Sequence, residues 1–458
     1  MAKWAEVELK SLDLGDGRLN KRAVKLVEAL AARPESSVPQ ACGGWGETKA
    51  AYRFWDNEQV TVKALLKAHQ DATVKRLLGQ PQVLVLQDTT SFDYSHHPAT
   101  TGLGSLDHAS CLGIKVHSAL AVTVEGVPLG LVHQEMWVRT TPAGQLSPRR
   151  KRATSEKESQ RWLTSLTKLE QAIPAEIETL LIGDRESDIY DLFHSKRRVG
   201  SHWLIRAAQN RAVTDEAGYL WPTLALAPVE DWRDISVQPQ PNQPARVAHL
   251  ALRYQTITLK PPRHAKKEQA LQPLTVTAIW VNEENPPLGA TPLSWMLLTT
   301  LSLENSAQAW QVVQWYAYRW LIERYHFVLK SGCRLEQLQL ESADRLQRAI
   351  ATYCLVAWRL LWLTYEARCQ PDQPCTVAFE PFEWQALFAT LHPNSPLPTT
   401  PPTLAVVVRW VAQLGGFLAR RHDGEPGVAT LWRGLRRLHD IAHTWLLATH
   451  NLPPLTCG

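Results

Sequence analysis

The sequence predicts a mixed α/β fold: a mixed sheet with helices packed on it, a β-rich insertion, and a helical region at each end of the chain. Three observations carry this. Residues 83–90, 113–124 and 128–138 read as three consecutive strands with turn signals between them. A short apolar strand at 179–184, a helix from about Ser187 and a strand at 202–207 then alternate, the pattern of a sheet with flanking helices. Helical spacing governs the first 68 residues and most of the chain after residue 306.

Taken in order, Leu19, Ala23, Leu26, Val27 and Leu30 predict a helix over 18–32, with Asp16 as its cap and Pro34 ending the run. Arg18, Arg22 and Lys25 form a basic stripe on it, which a solvated face would also explain. After Gly43, Gly44 and Gly46, a second helix carries Tyr52, Arg53, Phe54 and Trp55. Ser155 and Glu158 form a capping box opening a helix to about Ala172. Arg149, Arg150, Lys151 and Arg152 make a basic loop before it, suited to DNA or to solvent. Short strands and prolines fill 210–305. Between Ile235 and Lys267 lie Arg246, Arg253, Lys260, Arg263, Lys266 and Lys267 with no Asp or Glu, a segment that would track phosphates or stand as an exposed loop. Two long helices follow at 306–331 and 343–367, then a proline-rich join and a last helical region at 403–449.

The 458 residues, 51.6 kDa, suggest roughly three domains. With 45% hydrophobic and 20% charged residues, a wholly disordered or collagenous chain is excluded. The net charge of +5 is too small to identify a nucleic-acid partner. Seven scattered cysteines without a CxxC pair argue against a disulfide framework and a zinc knuckle. The charged N-terminus lacks the apolar core of a signal peptide, and residues 285–303, though uncharged, contain three prolines, so a soluble cytoplasmic protein is expected.

The acids with the most to say close apolar strands. Asp88 shares a strand face with Leu84 and Leu86, and Asp184 with Leu180 and Ile182, because side chains alternate with period two. An unpaired carboxylate there is costly to desolvate and calls for a partner or a cation; a turn or cap role is the plainer reading of each alone. On a continuous helix, Tyr316, Arg319, Glu323 and Lys330 fall at about 0°, 300°, 340° and 320°. Tyr318, Ile322, Tyr325 and Leu329 occupy the opposite, buried side. Taken alone, Arg319 and Glu323 read as an ordinary surface ion pair.

The blocks QDTTS around Asp88, GDRESDIY around Asp184, and Tyr316-x2-Arg319-x3-Glu323-x6-Lys330 resemble the three catalytic blocks of bacterial insertion-sequence DDE transposases of the insertion-sequence-four group. AYRF at 51–54, SEKES at 155–159, PLSW at 292–295 and LGGF at 414–417 extend the resemblance over nearly the whole chain. It implies a ribonuclease H-like catalytic domain at 69–367 with a β-rich insertion at about 210–305. A helical DNA-end-binding domain would occupy 1–68 and a helical dimerisation domain 368–458.

Asp88, Asp184 and Glu323 would be the catalytic acids and the metal ligands, holding two Mg2+ ions, with Mn2+ able to substitute, about 3.5–4 Å apart. The implied activity is cut-and-paste transposition: nicking, hairpin formation and opening at the transposon ends, then strand transfer into target DNA. Trp295 would stack on a flipped base, Tyr316, Arg319 and Lys330 would grip adjacent phosphates, and Arg206 would lie near the same end. Arg18, Arg22 and Arg53 would contact the terminal inverted repeats. The protein would act as a homodimer in a synaptic complex, nucleoid-associated when bound to DNA. A structure-selective nuclease of the same fold would share the acids but have no use for Trp295 or an end-reading domain, and a DNA-binding protein that had lost catalysis would not need the acids.

Overall fold

The computed structural model describes residues 4–108, 110–140, 157–237, 244–262 and 271–451. Arg149–Arg152, Ser155 and the basic residues Arg263, Lys266 and Lys267 lie outside them. In chain order, helices α1 (Trp4–Glu8), α2 (Gly17–Ala32), α3 (Val38–Cys42), α4 (Trp45–Asp56) and α5 (Val62–Leu77) precede strands β1 (Gln82–Asp93), β2 (Gly104–Ser105), β3 (Leu112–Val122) and β4 (Pro128–Trp137). Then come α6 (Gln160–Ala172), β5 (Glu178–Gly183), α7 (Tyr190–His194), β6 (Ser201–Arg206), α8 (Leu220–Leu226), β7 (Asp231–Val237), β8 (Arg246–Leu259), β9 (Leu274–Glu283) and β10 (Ser294–Thr299). The chain continues with α9 (Ser306–Ala317), α10 (Trp320–Phe327), α11 (Ala343–Cys369), α12 (Pro381–Leu391), α13 (Leu404–Leu414) and α14 (Val428–Asn451). The fold is therefore mixed α/β, with ten strands in a mixed sheet and helical regions at both ends of the chain.

Two compact units divide the chain: residues 1–77, 89–146 and 321–458 form the first, and residues 78–88 and 147–320 the second. In the first, Asp16 caps α2 by accepting the amide of Arg18 at 2.8 Å, and Ala23, Leu26, Val27 and Leu30 are buried, as the sequence pattern requires. Helix α1 is clasped to α5 by buried Glu8, which bonds His69 at 2.5 Å and Arg76 at 2.8 Å. Strands β3 and β4 pair antiparallel as a meander. Helix α11 is buried on every side in its middle, where each residue from Ala349 to Trp358 is buried, the property of a helix segment surrounded by others. At the C-terminal end, Trp384, Leu387, Leu404, Val411, Leu431 and Leu438 share one core. There α13 and α14 approach at glycines: a Cβ on Gly415 would lie 1.8 Å from the Thr430 carbonyl oxygen, and one on Gly434 1.8 Å from that of Val411.

In the second unit, the first half of β1 and strands β5 and β6 run parallel, and β10, β9, β8 and β7 continue from β6 as an antiparallel meander. The insertion thus holds strands of up to 14 residues, longer than the short ones expected. Its basic segment is also less bare than its composition suggests. Arg246 pairs with Glu283, and Arg253 with Glu284 at 2.9 Å, because antiparallel pairing sets β8 beside the acids at the end of β9. Two further expectations need correction. Helix α6 starts at Gln160, beyond Glu158 and so later than expected. The helix expected over 306–331 is broken: α9 ends at Ala317, α10 starts at Trp320, and residues 328–332 form a π turn.

Candidate active site

Strand pairing brings the first two acids to one place. Strands β1 and β5 are parallel, with Leu84 beside Leu180 and Leu86 beside Ile182. Asp88 and Asp184, each two residues further on, therefore leave the buried face at the same end of neighbouring strands. The backbone after Asp184 turns at once. Its carboxylate accepts the amide of Glu186 at 2.9 Å, and its carbonyl accepts the Ser187 hydroxyl at 2.6 Å. Gly183 is required there, since a Cβ on it would lie 2.3 Å from the Ser187 hydroxyl oxygen.

The electrostatics agree with a paired site. Burial pushes the Asp184 carboxyl above the usual carboxylate range, and the charge of Asp88 pushes it further, against the Glu186 amide and Arg319, which favour ionisation. Two neighbouring carboxylates, one held reluctant to ionise by the other, are a donor set that a hard divalent cation would relieve. Among the described residues no three His, Cys, Asp or Glu side chains form a ready metal cage, so the second unit offers this pair.

Four more of the expected residues gather around it. Strand β6 sets Ile205 beside Gly183, placing Arg206 at the same sheet end. Arg206 donates to the Ser294 carbonyl at 2.9 Å; burial lowers its pKa, while Tyr316 opposes that shift. Trp295, half-buried on β10, meets Tyr316 edge to face at 5.2 Å between ring centres. Tyr316, on the last turn of α9, is only 4% exposed, so the open face assigned to it from the helical wheel is wrong. Tyr316 shares the buried side of α9 with Ala309, Val312 and Val313, and the break after Ala317 separates it from the phase of the residues that follow. Burial raises the Tyr316 pKa, with Arg319 and Arg206 acting in the opposite sense.

Glu323 and Lys330 belong to the first unit. Glu323 is half-buried in the first turn of α10, and Lys330 sits in the π turn, 3.9 Å from Glu336 with its ammonium 5.8 Å from the centre of the Phe92 ring. Ile322, Tyr325 and Leu329 are fully buried, as expected of the opposite side, whereas Tyr318, expected with them, is only half-buried.

Sequence reasoning passed over Asp188. Its side chain is fully buried, accepts the amides of Ala208 and Gln209 at 2.7 and 3.0 Å, and binds Arg211 through Nε at 2.7 Å. It ties the turn after Asp184 to the chain leaving Arg206. The available signal was a second Asp four residues beyond Asp184 in GDRESD.

Three family models match in succession: "Transposase DNA-binding" over residues 1–60, "Transposase DDE domain" over 152–359, and "Transposase Tn5 dimerisation domain" over 355–445. The chain belongs to the Tn5-like DDE transposases of the insertion-sequence-four family. It is a DNA transposase, with a catalytic domain of ribonuclease H-like type, a DNA-binding domain and a domain for homodimer formation. Enzymes of this family generally use divalent metal ions, which the Asp88 and Asp184 pair suits.

In the transposase's DNA-binding region, Arg18 is exposed but paired with its neighbour Asp16 at 3.0 Å, Arg22 is paired with Glu47, and Arg53 is exposed with no ion pair among the described residues. Trp45 stands 79% exposed at the start of α4. No helix among the described residues is long and apolar enough to cross a membrane.

Proposed function

We propose that this transposase moves DNA by cut-and-paste chemistry, with Asp88, Asp184 and Glu323 as its catalytic acids and a homodimer holding two DNA ends in a synaptic complex. The observation that carries the reading is the Asp88 and Asp184 pair at one end of parallel strands, bordered by Arg206, Trp295, Tyr316 and Arg319. The three carboxylates would hold divalent cations, Mg2+ or Mn2+, two per site, which when bound activate an attacking hydroxyl and stabilise the leaving oxygen.

The protein's own residues then account for selectivity. Arg206, Arg319 and Lys330 hold phosphates beside the scissile bond, with Arg319 also countering the charge on Asp184. Tyr316 supports Trp295 from the edge, leaving the half-exposed indole to stack on a base turned out of the duplex. That unstacking is what a hairpin requires, since the freed 3′-hydroxyl must reach the opposite strand. Water opens the hairpin, and the same hydroxyl then attacks the target. Arg18, Arg22 and Arg53 position the terminal repeat. In this reading residues 1–68 bind the DNA ends, 69–367 carry the chemistry and 368–458 pair the protomers.

The deciding experiment incubates the full chain with DNA ending in the flanking inverted repeats and Mg2+, and scores hairpins on the excised ends. Hairpins followed by joining to a target plasmid support the reading. Nicks at branched DNA without hairpins would instead mark a structure-selective nuclease, and binding without cleavage a catalytically silent DNA-binding protein.

A further inference from the structure

A groove along α6 has no part in the site described above. The two ends of this helix are anchored to opposite ends of β5. Where the helix gives way to the strand, Arg198 donates to the carbonyls of Ile173, Pro174 and Ile177 at 3.0, 2.7 and 2.9 Å. Near its start, Arg161 pairs at 2.9 Å with Glu186, two residues past Asp184. Between these anchors, α6 and residues 195–198 enclose a groove of about 790 Å³.

Its charge is one-sided. Lys168, Lys196, Arg197 and Arg198 line it against a single carboxylate, Glu170, which accepts the amide of Arg198 at 3.2 Å. Lys168 and Lys196 are exposed. Arg197 gives one hydrogen bond, to the Leu192 carbonyl at 3.1 Å, while its Nε and Nη1 are buried without a partner. Burial holds its pKa down to about 10, although the charge of Glu170 opposes that shift. A buried cation lacking an ion pair leaves a positive field in the groove, where an anion would be stabilised. The stretch of α6 from Gln160 to Glu170, about 15 Å long, matches the rise of roughly four nucleotides on one DNA strand.

We propose that this groove binds the phosphodiester backbone of a second duplex, the target DNA, and leads it from the far end of β5 toward the catalytic turn. This rests on the reading that the transposase joins its ends to a target. The test uses the full-length protein assembled on end DNA and a labelled duplex lacking the terminal repeat, with capture read by fluorescence anisotropy across a salt series. The variant Lys168→Glu/Lys196→Glu should weaken capture about tenfold and lower the salt slope by about 1.8, the contribution of two phosphate contacts. The first nick at the ends should stay within about twofold of the wild type.

Unchanged capture and slope would overturn the proposal. So would a loss of nicking in step with capture, which would assign the groove to the ends or to folding. Displacement of the labelled duplex by low-millimolar inorganic phosphate from the wild type but not from the variant would assign it to small phosphates instead. Because capture is read without joining, a wild-type protein that captured duplex yet never joined ends would count against the transposition chemistry and not against the groove.

Discussion

At the residue scale, Asp184 makes its charge state a measurable property of the site. Its folded pKa is raised by burial and then by Asp88, so folding favours the protonated form. In the metal-free protein its contribution to stability is least harmful below the ordinary carboxylate pKa and worsens as pH rises through the raised value. Asp184→Asn should therefore raise the metal-free melting temperature at neutral pH by about 2–4 °C, the effect of roughly 1 kcal/mol in a domain of 150–250 residues. The gain should vanish when Mg2+ is added, and equal melting curves without metal would contradict the coupling. Glu323→Ala should abolish nicking, hairpin formation and joining while end binding by gel shift is retained; hairpins from this variant would remove it from the catalytic acids. Trp295→Ala should keep the first nick and lose most hairpin formation, and equal loss at both steps would make it a packing residue.

Asp88 and Asp184 were legible in the sequence because each ends an apolar strand where a charge is out of place. Asp188 was not, since its burial depends on Arg211 and the amides of Ala208 and Gln209, which only chain reversal after β6 brings to it.

At the element scale, the sequence located most strands and helices because period-two and helical patterns are local. It failed where geometry is set by packing. The wheel over Tyr316, Arg319, Glu323 and Lys330 assumed one straight helix, whereas α9 and α10 are separated at residues 318–319 and a π turn follows at 328–332. Likewise, the basic residues of β8 looked unpaired until β9 supplied Glu283 and Glu284. The close approach of α13 and α14 is an element-scale constraint with a direct test. Gly434→Ala places a methyl against the Val411 carbonyl, an overpacking that costs about 1–3 kcal/mol. It should lower the melting temperature and shift the transposase from dimer to monomer in sedimentation, while Gly427→Ala, whose Cβ would meet nothing within 4 Å, should do neither.

At the scale of the whole molecule, the family resemblance implies that in the proposed synaptic dimer each active site works on an end held mainly by its partner. Mixing Asp88→Ala protomers, which bind ends but cannot cut, with protomers carrying Arg22→Ala and Arg53→Ala, which cut but bind ends poorly, should restore cleavage at one end per dimer. Each protein alone should be nearly inactive, and no recovery on mixing would show that an end is cut by the protomer that binds it. The net charge of +5 says little at this scale, because positive charge acts by location: on α2, around Arg206 and Arg319, and along the α6 groove.

By itself the sequence determined the class of this protein: strand and helix periodicity, acids closing apolar strands, and motif blocks in order along the chain are all written in neighbouring residues. Only the tertiary structure decided which charges are already spent on partners, that Tyr316 is buried beneath Trp295, and that Arg197 lacks an ion pair. Those outcomes depend on which distant segments meet, and the cost of desolvating a charge is set by that meeting and not by the residue's neighbours in the chain.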